Sequence, residues 1–338
     1  MSPLPPPGRP LMRFSPQRPA LAPPAWLHPS LRLLSSHLVV ALVALVAIGG
    51  ATRVMEAGLA CPDWPLCYGT LLPARQMNLQ VFLEWFHRLD AFLVGIALLV
   101  LNGLALGYRR SLPRWLPPFA VATLLLVAVQ GGLGALTVTG LLAAPTVTAH
   151  LMTALLLVAL LSAIAQALPA TDAAVTGSRT VQPLTATAAP HQAPQSLPLW
   201  WWLLLAAAAA LLLIQCGLGG TMASQWAADR CFSSGEGCRW LWLHRLGAWP
   251  AALAPPLLAL ASLALPSGLR GLRPLALAAA LLVLLQVALG VSTLRLQLAV
   301  PVVTVAHQLV AALLVALVAA LVGRSSCFVS SSSSAPLP

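Results

Sequence analysis

Long apolar stretches alternate with short polar segments along most of the chain. Eight stretches can be delimited, at roughly residues 36–55, 86–107, 117–139, 147–168, 200–223, 242–265, 275–293 and 302–323. About 20 apolar residues suffice to cross the hydrocarbon core of a bilayer as a helix. A helix is required because lipid offers the backbone no other hydrogen-bond partner. The pattern therefore predicts an all-α membrane protein with eight transmembrane helices.

The charged residues predict how these helices are oriented. All 18 basic residues are arginines, and the formal net charge is +11. The arginines concentrate in the N-terminal tail and after the second and sixth stretches, and short arginine-bearing loops stay in the cytoplasm. We therefore expect both termini to be cytoplasmic. The charge then reflects topology and contact with the lipid bilayer, and a nucleic-acid partner is not expected.

Three segments of biased composition divide the chain, because none of them can build a packed core. We interpret residues 1–35 and 324–338 as disordered cytoplasmic tails and residues 169–199 as a cytoplasmic linker. The halves between them, residues 36–168 and 200–323, contain four spans each. An even number of spans gives both halves the same orientation. The sequence thus predicts two tandem, pseudo-symmetric four-helix bundles.

Four histidines recur in the two halves with one constant shift. His87 maps onto His244 and His150 maps onto His307, each 157 residues later. The flanking residues repeat as well, since residues 84–89 and 241–246 share a Trp-x-His-Arg-Leu run. In the predicted topology all four histidines lie in the outer half of the membrane.

A pair of imidazoles on facing helices suits axial ligation of a haem iron. Zinc fits less well, because it usually takes three or four close protein ligands and each half offers only two histidines. A membrane histidine can also simply hydrogen-bond a carbonyl. Pairs at equal depth in both halves favour one haem in each half.

The halves differ at one position beside the first histidine. Glu84 lies one helical turn before His87, whereas the corresponding residue of the second half is Leu241. Glu84 is either a solvated residue at a helix start or a general base or charge stabiliser in a reaction site. The asymmetry favours catalysis in the first half and an electron-transfer haem in the second.

Two cysteine pairs lie in the outer loops, Cys61 with Cys67 and Cys231 with Cys238. An oxidising compartment permits a short disulfide in each loop. Such bonds either brace the loops or exchange with a partner thiol. Neither pair has the C-x-x-C spacing of a thioredoxin-like centre.

The combination of these features resembles the haem A synthase family in its bacterial form, over most of residues 36–323. The resemblance rests on the duplicated eight-span bundle and on a set of short motifs: Glu84-x-x-His87-Arg88, His244-Arg245, His150, His307 and the Cys61/Cys67 pair.

This resemblance implies an oxidoreductase that converts a ring methyl group of haem O to a formyl group, giving haem A for terminal oxidases. His87 and His150 would flank the substrate haem, His244 and His307 would ligate the iron of a resident haem b, and Glu84 would be the catalytic carboxylate. The implied location is the bacterial plasma membrane, with the haem sites near the outer face. The implied partners are the farnesyl-transferring synthase that makes haem O, the terminal oxidase under assembly, an electron acceptor that the sequence does not identify, and a thiol–disulfide partner.

Arg88 and Arg245 directly follow two of these histidines and are candidate partners of haem propionates. Their alternative role is to extend towards the membrane surface without a specific partner.

An iron with two histidine ligands has no open position for oxygen. We therefore expect the ring to be oxidised by removal of electrons, with Glu84 accepting a proton or stabilising positive charge and water supplying the oxygen. Two alternative functions are a di-haem b-type electron-transfer cytochrome, which would need haems at both faces, and a non-enzymatic haem carrier, which would not need Glu84.

Overall fold

The computed structural model describes residues 24–168, 197–223, 231, 233 and 238–330, with side chains described as far as Cys327. Within these residues eight long helices follow one another, and each is long and apolar enough to cross a membrane. This confirms the predicted all-helical architecture with eight spans. In chain order the helices are α1 (Leu27–Val54), α2 (Leu79–Gly107), α3 (Leu116–Thr139), α4 (Ala144–Ala167), α5 (Leu199–Ala223), α6 (Cys238–Leu263), α7 (Arg273–Arg295) and α8 (Pro301–Ser330).

Several helix ends differ from the predicted spans. Residues 27–35 and 324–330 were expected in the tails, but they belong to α1 and α8. Leu27 and Leu31 are fully buried one turn apart, so the apolar face of α1 continues through the arginine-bearing part of the sequence. Residues 1–23 and 331–338 of the predicted tails and most of the linker lie outside the described residues.

Local sequence explains where the helices begin. Asn78 caps α2, because its side chain accepts a hydrogen bond from the backbone N–H of Val81 at 2.9 Å, and such a cap satisfies a backbone donor that the first turn leaves free. Proline stands in the first turn of α3, α4 and α7, where no backbone donor is lost. Helix α2 therefore begins at Leu79, seven residues before the predicted span.

The helices of each half contact one another in a ring. In the first half α1 packs on α2 and α4, and α3 packs on α2 and α4; in the second half α5, α6, α7 and α8 repeat this arrangement. The halves meet mainly where α8 packs on α4 and α1. The buried core of the second half is built from its own helices. The core of the first half also includes three residues of α8, namely Ala312, Val315 and Ala316.

Contacts between helix ends give the relative directions of corresponding helices. Arg53, at the end of α1, donates to the carbonyl of Ala223 at the end of α5. Cys327, near the end of α8, approaches the carbonyl of Ala167 at the end of α4, with 3.3 Å from sulfur to oxygen. Helices α1 and α5 therefore run in the same direction, and so do α4 and α8.

Two tight turns in the two halves share an unusual backbone conformation. Leu141 and Leu142, between α3 and α4, have φ values of 49° and 59°, and Gln297 and Leu298, between α7 and α8, have φ values of 50° and 63°. Residues with a Cβ atom rarely adopt the left-handed region, at a cost of roughly 1–3 kcal/mol each. The same unfavourable turn thus precedes α4 and α8.

Gly323→Ala tests the contact between the halves. A methyl group on Gly323 of α8 would overlap the backbone of Ala163 on α4, and overpacking of this kind costs about 1–3 kcal/mol. We expect a lower melting temperature in detergent, measured by circular dichroism. Gly103→Ala is the matched control, because a methyl group there meets no atom within 4 Å. Equal melting temperatures for both variants would contradict this interface.

Candidate functional site

The four repeated histidines lie on the four even-numbered helices. His150, His244 and His307 are each the seventh residue of α4, α6 and α8, and His87 is the ninth residue of α2. At a rise of about 1.5 Å per residue they lie roughly 9–12 Å along their helices. All four side chains are half-buried. The histidines are thus at similar depth, on helices that begin at the same face.

The histidines of the first half face each other across their bundle. The ring centres of His87 and His150 are 6.4 Å apart, and the ring planes are inclined at 72°. Two nitrogens that bind one metal from opposite sides are about 4 Å apart, which puts the ring centres roughly 6 Å apart. In the second half His244 and His307 stand at matching positions, since each is the seventh residue of its helix and each ring packs against a glycine. The structure therefore brings His87 and His150 together and places His244 and His307 equivalently in the second half.

Each imidazole packs against a glycine of the helix that precedes it in the chain. A methyl group on any of these glycines would lie 2.9–3.3 Å from the ring Cε1 atom, which is too close for ordinary contact. The absence of a side chain is what lets the ring lie between the helices. The four contacts join Gly49 to His87, Gly134 to His150, Gly219 to His244, and Gly290 to His307.

Two of these glycines are followed by a second glycine that faces the other half. Beside Gly49, a Cβ on Gly50 would overlap the side chain of Gln308, the neighbour of His307 on α8. Beside Gly219, a Cβ on Gly220 would lie 3.0 Å from Leu151, the neighbour of His150 on α4. Helices α1 and α5 therefore each contribute to the surroundings of both histidine pairs.

The donor set fits haem iron. The Nδ1 atoms of His87, His150 and His307 are buried and have no hydrogen-bond partner, although a buried imidazole normally has one. Among the described residues no group of three or more His, Cys, Asp or Glu side chains could hold a metal ion. A haem supplies four ligands itself and needs only the axial pair from the protein.

Glu84 lies in a buried network beside the first histidine pair. Its side chain is 5% exposed and pairs with Arg88, one turn along α2, at 2.5 Å. Its second oxygen accepts a hydrogen bond from the backbone N–H of Cys61 at 2.7 Å. Of the two alternatives drawn from the sequence, a solvated residue at a helix start is wrong, because both carboxylate oxygens are engaged and the group is buried.

Arg88 connects this carboxylate to the loop between α1 and α2. Its guanidinium donates to the carbonyls of Asp63 at 2.6 Å, Leu66 at 2.5 Å and Cys61 at 3.4 Å. These carbonyls lie within or next to the segment closed by the Cys61–Cys67 disulfide. From the sequence Arg88 is a candidate propionate partner or a residue without a specific partner, and the structure gives it specific partners as an anchor of this loop.

Asp63 stabilises the tip of the same loop. Its carboxylate accepts backbone hydrogen bonds from Gly69 at 2.8 Å and Tyr68 at 2.6 Å. These bonds, that from Gly69 foremost, lower the pKa of Asp63 below its usual range, since they favour the charged form. A lowered pKa contributes stability at neutral pH that is lost only as the pH falls through the lowered value. The loop is therefore held in place under ordinary conditions.

Both predicted cysteine pairs are disulfide-bonded in the structure. Cys61 and Cys67 are buried and pack on Val81 of α2. Such burial favours a bracing role over exchange with a partner thiol.

In the second half Leu241 stands where the first half has Glu84, and Arg245, the counterpart of Arg88, is exposed. Most of the loop between Cys231 and Cys238 lies outside the described residues.

Sequence reasoning missed three glutamines that contact the histidines. Gln130 donates to His150 at 3.3 Å, Gln286 to His307 at 3.4 Å, and Gln215 to His244 at 2.9 Å. Each glutamine stands four residues before the glycine that touches the same ring. A Gln-x-x-x-Gly spacing in three spans was the signal that could have identified them.

The fold and the site together define a multi-pass helical membrane protein with two histidine pairs suited to haem. The COX15-CtaA family, described as cytochrome oxidase assembly proteins, matches residues 32–319. The chain belongs to this family, which confirms the resemblance drawn from the sequence.

Individual relatives match over shorter regions. A heme A synthase of Shewanella oneidensis is 35% identical over 145 residues, which are 38% of this chain and 42% of that protein. A heme A synthase of Mesorhizobium japonicum is 31% identical over 124 residues, 29% of this chain and 34% of that protein. A protoheme IX farnesyltransferase of Halobacterium salinarum is 32% identical over 108 residues, 32% of this chain and 24% of that protein. The chain thus spans less than half the length of these relatives.

Arg88→Ala tests the anchoring of the disulfide loop. Without the guanidinium, carbonyls of the loop lose their donors, and we expect the Cys61–Cys67 bond to be reduced several-fold faster by a phosphine in the folded protein. Alkylation and mass spectrometry measure the rate. Arg75→Ala is the control, because it removes an exposed arginine of the same loop, and it should leave the rate of reduction unchanged. If Arg88 serves propionates alone, Arg88→Ala will lower haem retention without accelerating reduction.

Proposed function

We propose that this protein is a haem A synthase that oxidises a ring methyl group of haem O to a formyl group. One observation carries the proposal: a buried, ion-paired Glu84 lies one turn from the histidine pair of the first half, while Leu241 occupies its position in the second half. Two similar haem sites of which only one has a carboxylate suit a reaction site paired with an electron-transfer site. Membership of the family supports this assignment.

The histidine pairs take different roles in this proposal. His87 and His150 hold the substrate haem O, and the 6.4 Å between their ring centres leaves room for an iron between them. His244 and His307 hold haem b, whose chemistry when bound is one-electron transfer. The glycines against the four rings keep the imidazoles between the helices.

The proposed reaction removes four electrons and four protons from the methyl group and one water molecule, and leaves the formyl group. With both histidines on the substrate iron, no position is open for oxygen. A one-electron acceptor outside the chain takes up the electrons, and water supplies the oxygen atom. A haem b held by His244 and His307 would supply one-electron transfer between the substrate and this acceptor.

The geometry of Glu84 favours one of its two proposed roles. Its oxygens are occupied by the Arg88 guanidinium and the Cys61 N–H, both of which donate hydrogen bonds. To accept a proton, Glu84 would have to release one of these donors. A fixed negative charge can instead stabilise the positive charge that develops as electrons leave the substrate.

We further propose that the two halves are a tandem duplication with both termini in the cytoplasm of a bacterial cell. The parallel directions of α1 with α5 and α4 with α8 support the duplication. So does the shared left-handed turn before α4 and α8. Both histidine pairs then lie near the outer face. The expected partners are the synthase that makes haem O, the terminal oxidase and, if the cysteines cycle, a thiol–disulfide partner.

Two other functions fit less well. A di-haem cytochrome that carries electrons across the membrane needs haems at different depths, and these four histidines lie at similar positions along their helices. A haem carrier has no use for an ion-paired carboxylate beside only one of two sites.

Glu84→Gln should retain haem and lose turnover by about 100-fold or more, because its amide can still accept from Cys61 but carries no charge. Glu56→Gln is the matched control, since it removes an exposed acid of the same loop. Haems extracted from the purified variants should show haem O accumulating beside haem b with Glu84→Gln, and haem A formed with Glu56→Gln. Unchanged haem A formation by Glu84→Gln would rule out a catalytic role for this carboxylate, whereas a wild-type protein that binds haem and forms no haem A would favour the carrier.

Oxygen isotopes identify the source of the formyl oxygen. Turnover in ¹⁸O-labelled water under ordinary dioxygen should label haem A, provided that the product is analysed before its formyl group exchanges with solvent. Labelled dioxygen in ordinary water should give unlabelled product, measured by mass spectrometry. Label that comes from dioxygen would contradict oxidation by electron removal and require one histidine to leave the iron.

A further inference from the structure

The two histidines that begin the pairs, His87 and His244, differ in what holds them. Gln215 of α5 lies 2.9 Å from the Nδ1 atom of His244 and also donates to its backbone carbonyl at 2.8 Å. It stands one turn before Gly219, the glycine that touches the same ring. His244 is therefore fixed at its ring and at its main chain by one amide.

The first half has no such amide. One turn before Gly49, which touches His87, the residue is Leu45. The Nδ1 atom of His87 is buried and has no hydrogen-bond partner. Since Gln130 and Gln286 both contact the second histidine of their pairs, the difference between the halves is confined to the first histidine.

A second position changes together with the first. Three residues after His244 is Gly247, and a Cβ there would lie 2.6 Å from the Oε1 atom of Gln215. Gly247 therefore makes room for the glutamine. Three residues after His87 the chain has Asp90. The second half thus contains a matched Gln215/Gly247 pair where the first half contains Leu45 and Asp90.

The chemistry of this amide suits a ligand histidine. A histidine that binds iron through one nitrogen usually hydrogen-bonds through the other, and loss of that partner typically weakens metal binding by about 10–100-fold. The Nε2 atom of Gln215 faces Nδ1 as a donor in the structure, and its Oε1 atom, which is buried without a hydrogen-bond partner, becomes an acceptor for an Nδ1–H when the amide rotates by half a turn. Leucine can do neither.

We propose that Gln215 is a positioning residue that makes the second haem resident, and that Leu45 leaves His87 without a hydrogen-bonded anchor, as the ligand through which the first haem is exchanged. The inference rests on the proposed function, in which the first site must take up haem O and release haem A. A substrate site needs fast exchange of its haem, and a redox site needs retention. The two halves meet these needs with the same fold, because a leucine lies near His87 where a glutamine lies near the equivalent His244.

Exchange of these residues between the halves tests the proposal. Gln215→Met keeps the length of the side chain and removes its polar atoms, and Leu45→Gln with Asp90→Gly transplants the second-half pair into the first half. The probe is haem itself, loaded into the purified full-length protein. Its dissociation into a haem-scavenging protein is followed by absorption, and the iron spin state by electron paramagnetic resonance.

We expect Gln215→Met to release the resident haem at least 10-fold faster, with an altered low-spin signal. The transplanted pair should slow release from the first site by a similar factor, with an unchanged signal from the second. Asp90→Gly alone is the control for the helix and should change neither rate. Should Gln215→Met fail to fold, the transplanted pair still decides the question, because it adds an interaction.

Two kinds of failure can be told apart. If the wild-type protein binds haem at both sites and neither exchange alters a release rate or a signal, this inference is wrong and the proposed function stands. If the wild-type protein binds no haem, the proposed function fails with it.

Discussion

The contact between each histidine ring and a glycine of the preceding helix is the constraint on which the site depends. An imidazole is too large to lie between two helices that both carry side chains at the contact, and it is too polar to face lipid without cost. Glycine allows close approach, and the ring then points into the bundle. The separation within the first pair, the fit to a planar cofactor and the equal depth of the four rings all follow from these contacts.

The two halves differ in the polar contacts that surround this shared arrangement. In the first half the loop between α1 and α2 folds back on α2, and its disulfide segment is tied to Glu84 through Arg88 and the Cys61 amide. The second half lacks the carboxylate and places its extra polar contact inside the bundle, from Gln215 to His244. In the first half the polar interactions lie between α2 and the disulfide loop, one turn from His87. In the second half they lie at the His244 ring itself.

The sequence was sufficient for the features that local patterns encode. Eight apolar stretches predicted eight helices, and the constant shift predicted both histidine pairs, because hydropathy and repeat spacing do not depend on how helices face one another. Helix ends were missed where buried residues such as Leu27 continue an apolar face among arginines. The burial of Glu84 was missed because it depends on a loop returning to α2. Gln215 was missed because its role appears only once α5 is placed against α6.

The neighbouring glycines at 49–50 and 219–220 have an evolutionary consequence. Each of these pairs lets its helix touch a ligand of its own half and the residue beside a ligand of the other half. Two four-helix bundles that packed independently of each other could be separated or recombined as modules. Here each half supplies part of the surroundings of the other's histidine pair, so separating the two halves into independent genes would remove neighbours from both pairs at once.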